Sequence, residues 1–260
     1  MRIAVISPHA VNNGNTTLSM LIGLEFASTG KLTCLTHAKP VSNSFFQYLN
    51  FRGFVDKTTT PSQIVKILKE GSLTGDDARD YCRDIADNLE AFTNTSSNFS
   101  QEDMTFMFKY IAKAFPHEHV IFDIDNDIER NKVIIKLCDV VVINITQSIK
   151  ELDQFQKQKD VILDMLADKP KVVVVNKYVS TKGNLKEVAK WMGVKKPSNW
   201  VVLHENPWIT WATNHGKLNS LYKNVLKKDP RVIEIHNDMS RICTAIMKAK
   251  TSKDKRGVHK

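Results

Sequence analysis

Six short runs rich in β-branched apolar residues, spaced by segments of helical period, restrict most strongly how this chain can fold. They are Arg2–Ser7, Leu32–Thr36, His119–Asp123, Val140–Ile145, Lys171–Val175 and Trp200–Leu203. Continuous apolar strands of this kind suit a parallel sheet covered on both faces. Between them, Thr16–Ser28, Asp127–Leu137, Lys150–Leu166, Leu185–Met192 and Pro230–Met247 read as crossover helices. The first places Leu18, Leu21, Ile22 and Phe26 on one face and stops at Gly30. This alternation predicts the α/β class, with a doubly wound, mostly parallel sheet flanked by helices.

One stretch interrupts the pattern. Residues 42–115 show no convincing strand; Ser62–Lys69, Asp76–Glu90 and Gln101–Phe115 read as helices, and the polar run Thr93–Gln101 reads as a loop. The expectation is a helical insertion between the second and third strands of a single domain spanning 1–247, followed by a basic tail at 248–260. A chain of 260 residues with 42% hydrophobic and 25% charged residues can bury a core without disulfides or metals. The net charge of +9 is unevenly spread, because Lys248–Lys260 holds six basic residues and one Asp.

Cys34, Cys82, Cys138 and Cys243 lie far apart, with no CxxC pair and no His at zinc-ligand spacing. That argues against a disulfide framework and against a structural zinc site, and fits reduced thiols in a cytoplasmic protein. Met1 leads directly into a strand rather than a secretory signal, and the longest apolar runs fall short of the ~20 residues of a membrane span. Trp191, Trp200, Trp208 and Trp211 are accounted for by strand and turn packing.

The segment Ile6–Thr17 (ISPHAVNNGNTT) is a strand running into a polar loop and a helix that opens Thr-Thr. Phosphate-binding loops are built this way, from loop amides and the positive end of a helix. Against the pattern G-x-x-x-x-G-K-[ST], Gly14 and Thr16 match, whereas His9 replaces the first Gly and Asn15 the Lys. A plain βα turn with a Ser/Thr cap is the competing reading.

With the later segments VIFD, ITQSIKEL, VVVVNKY and HENPWITWATNHGKL, taken in order, the chain resembles the ParA/MinD family of deviant Walker A P-loop ATPases, with a degenerate P-loop. The resemblance covers nearly the whole chain outside 42–115. It implies a P-loop NTPase-like fold, ATP and Mg²⁺ as ligands, and a homodimer. By it, Gly14, Asn15, Thr16 and Thr17 would contact nucleotide, with Thr17 at the α-phosphate. Thr16 and Asp123 would hold Mg²⁺, while Asn176, Lys177, Asn206 and Pro207 would contact the base. The plain alternative for Asn176 is a strand-ending residue.

The departures bear on chemistry. Both loop lysines of the family are absent, at Ala10 and Asn15, and His37 and Lys39 stand where the family carries two acids after its second strand. Lysine charge stabilises the charge that builds on phosphate oxygens during transfer. Asp125 and Asp127 follow Asp123; a helix cap is the simpler role for Asp127 than metal binding. The resemblance therefore implies a positioning or assembly protein for DNA partition, conjugation, or a secretion or pilus machine. Its ATP binding would be weak or absent and its hydrolysis impaired or lost, with no catalytic residue assigned, and it would act through dimerisation and a protein partner of that machine. One alternative is an active ATPase in which Lys39 or another lysine supplies the missing charge. The other is a nucleotide-independent nucleic-acid-binding module, its basic tail attracted to DNA without sequence preference or to an anionic surface. The last helix is expected to pack through Ile242, Cys243, Ile246 and Met247.

Overall fold

The computed structural model describes residues 1–8, 13–37, 48, 61–71, 74, 77, 79–92, 100–124, 126–194 and 199–257. His9, Ala10, Lys39, Asp125 and the polar run at 93–99 lie outside these. Eight strands form one sheet: β1 (Arg2–Ile6), β2 (Thr33–His37), β3 (Arg83–Ala86), β4 (Leu89–Phe92), β5 (His119–Asp123), β6 (Val140–Ile145), β7 (Lys171–Tyr178) and β8 (Trp200–His204). Their order is β3-β4-β2-β5-β1-β6-β7-β8, and every pairing is parallel except β3 with β4. All six strands read from the sequence are present.

Among the described residues, the α-helices with both ends placed are α1 (Asn15–Ser28), α2 (Pro61–Lys69), α3 (Gln101–Ala114), α4 (Ile128–Leu137), α5 (Ile149–Met165), α6 (Leu185–Trp191), α7 (Pro207–Asn214), α8 (Leu218–Leu226) and α9 (Ile233–Gly257). They cover both sheet faces, as the β1 side chains show. Ala4 and Ile6 join a core with Met107 and Phe108 of α3, Ile135 of α4 and Phe155 of α5. Ile3 and Val5 point to the other face, against α1, Tyr222 of α8 and Ile242 of α9. A strand with period-2 side chains can be apolar throughout only when both faces are covered.

α1 is enclosed between the sheet and α9, with 12 buried residues. Its Gly23 permits this approach, since a Cβ there would lie 2.8 Å from a Leu35 methyl. Glu25, buried on the same helix, accepts a hydrogen bond from the Tyr222 hydroxyl.

Three expectations are corrected. Asp76–Glu90 is not one helix: Asp77 and Arg79 are helical, but the chain then forms the β3–β4 hairpin. Its two-residue turn is Asp87-Asn88, with Asn88 in the left-handed region at φ 59°; Asn tolerates that conformation and so outweighs the helix-favouring Ala and Leu around it. The last helix continues past Met247 to Gly257, and Met247 is 47% exposed while Ile242 and Ile246 are buried. Trp191 is likewise exposed rather than packed, whereas Trp208 and Trp211, also partly exposed, meet edge to face at 6.2 Å. Among the described residues no helix is long and apolar enough to cross a membrane.

Candidate functional site

The chain leaves the carboxyl end of central β1 through Ser7 and enters α1 after Gly14. In open α/β sheets, ligands bind outside the carboxyl ends of the strands, where connections diverge to opposite sides. The start of α1 can receive an anion: its N-cap is Gly14, which has no side chain to accept a cap hydrogen bond, and no acid lies in the first turn. Backbone amides there carry partial positive charge. Gly14 has φ 76°, and a Cβ on it would fall 2.8 Å from Asn176 Nδ2. Both the backbone angle and the contact require glycine.

Beneath the loop, Asp123 at the end of β5 is 1% exposed and gathers three side chains of α1. Thr16 Oγ1 donates to its Oδ2 at 2.7 Å, Asn15 Nδ2 to its Oδ1 at 2.8 Å, and Ser19 Oγ to Oδ1 at 3.5 Å. The Asn15 amide also donates to the Val5 and Ile124 carbonyls, each at 3.0 Å. Its two protons thus face three acceptors below the loop, and the side chain is buried. His37, also buried, ends β2 in register with Asp123.

A second set of polar residues fixes the loop from the β6 and β7 side. Asn144 and Asn176 donate their amides to the Asn13 carbonyl at 3.2 and 3.1 Å. Asn13 in turn donates to Ser7 Oγ and accepts from the Asn15 N–H, while Ser7 Oγ donates to the Asn144 carbonyl at 3.0 Å. Ser7, Asn13 and Asn144 were not singled out from the sequence. The one available signal was Asn144, a polar residue inside the apolar run VVVINI.

Asn176 and Lys177 occupy an irregularity in β7, where the ladder to β8 skips between Val175 and Tyr178. Such bulges redirect side chains. Lys177 has φ 51°, held by its N–H donating to Asn176 Oδ1 at 2.8 Å. Its Cε comes within 3.9 Å of the position of a Gly14 Cβ, so a cationic side chain lies over the start of α1.

Thr17 is partly buried on the first turn of α1. Asn206 and Pro207 open α7 at the carboxyl end of β8; Asn206 Oδ1 accepts from the Trp208 N–H at 3.0 Å, and Pro207 occupies the first turn. Asp127 caps α4 by accepting from the Arg130 N–H at 3.0 Å, as expected.

For an ATP·Mg²⁺ group, the residues present fit a phosphate at the α1 terminus, where Asn13 Oδ1 takes the Asn15 N–H, and a hard cation beside the paired Thr16 hydroxyl and Asp123 carboxylate. They do not supply a cation at Asn15, whose amide is committed downward.

No family model matches the chain, and no curated protein matches it by sequence. Solved structures do match by fold. MinD in the MinC:MinD cell division protein complex of Aquifex aeolicus is 16% identical with TM-score 0.69, covering 95% of this chain and 96% of that one. The septum site-determining protein MinD of Pyrococcus horikoshii, complexed with Mg-ADP, is 14% identical with TM-score 0.69, covering 97% and 99%. A ParA family ATPase of Chlorobium tepidum is 14% identical with TM-score 0.68, covering 94% and 97%. At these identities the likeness concerns architecture, and the chain has the P-loop NTPase fold shared by MinD and ParA-family ATPases.

Proposed function

We propose that this chain is a ParA/MinD-like positioning or assembly protein whose ATP binding is weak or absent and whose hydrolysis is impaired or lost, and which acts through dimerisation and partner binding. The observation that carries the reading is the Asn15 amide, bound to Asp123, Val5 and Ile124 at the position of the P-loop lysine. A neutral side chain directed under the loop adds no charge to phosphate oxygens above it, so transition-state stabilisation from that position is lost. Mg²⁺, when bound, would supply positive charge to those oxygens, with Thr16 and Asp123 holding it. The partner belongs to a partition, conjugation or secretion machine, a reading supported by the likeness in fold to the cell division protein of Aquifex aeolicus and the ParA family ATPase of Chlorobium tepidum.

Titration calorimetry with ATP and Mg²⁺, paired with a phosphate-release assay, tests this. Weak or absent binding and no turnover above buffer are expected. Steady turnover that Thr16→Ala abolishes overturns the proposal.

A second reading is favoured by one observation, the placement of Lys177 over Gly14. There the chain is an active ATPase whose missing charge comes from β7 rather than from the loop. It requires turnover that Lys177→Ala removes while Asn15→Ala leaves a residue of activity.

A further inference from the structure

At the opposite end of the strands, a second polar cluster is assembled from residues far apart in sequence. Cys34 is the second residue of β2, Cys82 precedes β3, and His117 precedes β5. Their ligand atoms, two sulfurs and a ring nitrogen, all lie within 4.8 Å of one another. Cys34 and His117 are buried and Cys82 is partly so. His117 stands six residues before Asp123 in the chain, roughly 20 Å away at ~3.3 Å per residue, so this cluster is separate from the P-loop.

The histidine is set up as a ligand. Its Nε2 is 2.8 Å from Glu90 Oε2, and the carboxylate accepts the proton there. That fixes the tautomer in which Nδ1 carries the lone pair, and Nδ1 is buried with no hydrogen-bond partner among the described residues. A carboxylate on the far nitrogen is the usual partner of a metal-bound histidine. The backbone around it is also held, since the Arg2 guanidinium donates to the carbonyls of Ala112, Phe115 and His117 at 2.8, 2.8 and 3.0 Å. Glu90 faces the same side of the sheet as its register partner Cys34, and Arg79 Nε donates to its other oxygen at 2.7 Å.

We infer that Cys34, Cys82 and His117 form a site for one borderline-soft divalent cation of the zinc class, with Glu90 as the positioning residue for His117. Two thiolates neutralise the cation, and Arg79 balances Glu90, so the bound site carries no net charge into a buried region. Tetrahedral bonds of ~2.3 Å to sulfur and ~2.0 Å to nitrogen put ligand atoms about 3.5–3.8 Å apart, reached by closing the cluster by at most about 1.3 Å. A surface cleft lined by Asp84, Asp87 and Glu90 against Arg79 reaches the positioning residue Glu90. Binding would tie the β3–β4 hairpin to β2 and β5. Metal-ligand spacing is absent from the sequence because the three ligands come from β2 and from the segments before β3 and β5 rather than from one loop.

The probe is Co²⁺ alone, titrated into the reduced, metal-stripped full chain, with Zn²⁺ as displacer. One equivalent is expected, giving the d–d and thiolate charge-transfer bands of a tetrahedral site. Cys82→Ser removes those bands, Cys138→Ser keeps them, and Glu90→Gln weakens binding about 10–100-fold with the bands still present. In the unmodified chain Zn²⁺ shields Cys82 from a thiol reagent, a readout independent of any variant's folding. Absent bands, bands that persist in Cys82→Ser, or a Cys34–Cys82 disulfide in a chain that takes up no metal when reduced would each overturn the inference.

Discussion

Replacing Asn15 by alanine tests most directly how the P-loop position is used. The amide donates to one carboxylate and two carbonyls, all buried. A hydrogen bond to a charged group contributes about 1.5–3 kcal/mol and a neutral one about 1. Two protons serve three acceptors, so the loss amounts to one charged and one neutral bond, about 3 kcal/mol. For a domain of this size, each kcal/mol moves Tm by ~2–4 °C, so Asn15→Ala should melt about 6–12 °C lower. Asn15→Asp is the sharper control. It keeps the shape but turns acceptors towards Asp123 and the carbonyls, and should cost more than alanine. Thermal and urea unfolding followed by circular dichroism measure both. An exposed side chain aimed at phosphate would be worth only ~0.5 kcal/mol to folding. An Asn15→Ala variant melting within about 2 °C of the parent would refute the downward-bound amide and the proposal built on it.

Three further substitutions probe the packing around α1. Tyr222→Phe removes the phenol that donates to buried Glu25 and should lower stability by about 1.5–3 kcal/mol in urea unfolding. Gly23→Val places branched carbon where even a Cβ lies 2.8 Å from Leu35, and should cost about 1–3 kcal/mol by overpacking. Gly14→Ala combines left-handed strain of about 1–2 kcal/mol with displacement of the Asn176 amide, another ~1 kcal/mol. A Gly14→Ala chain as stable as the parent would mean that the loop relaxes without cost.

The opposite fates of two segments explain what could be read in advance. Runs such as VVVINI announce themselves because a strand buried on both faces admits few polar residues, and that signal is local. The hairpin at Arg83–Phe92 was missed because helix-favouring residues mask a turn whose signal is Asn88 adopting positive φ. Gly14 and Thr16 were singled out through the resemblance of the first βα turn to a phosphate loop, and Asp123 through the segment VIFD. Asn13 and Asn144, which fix that loop, left almost no trace, because a lone Asn carries no period.

The sequence by itself determined the alternation of strands and helices, the parallel sheet that follows from it, and the neutral Asn15 at the start of the first helix. Only the tertiary structure decided where the Asn15 amide points, that Lys177 lies over Gly14, and that Cys34, Cys82 and His117 meet. Hydrophobic periodicity is set by each residue's near neighbours, so it survives in one dimension. A hydrogen bond or a ligand set joins residues such as Asn15 and Asp123, 108 positions apart, and exists only once the sheet brings their strands together.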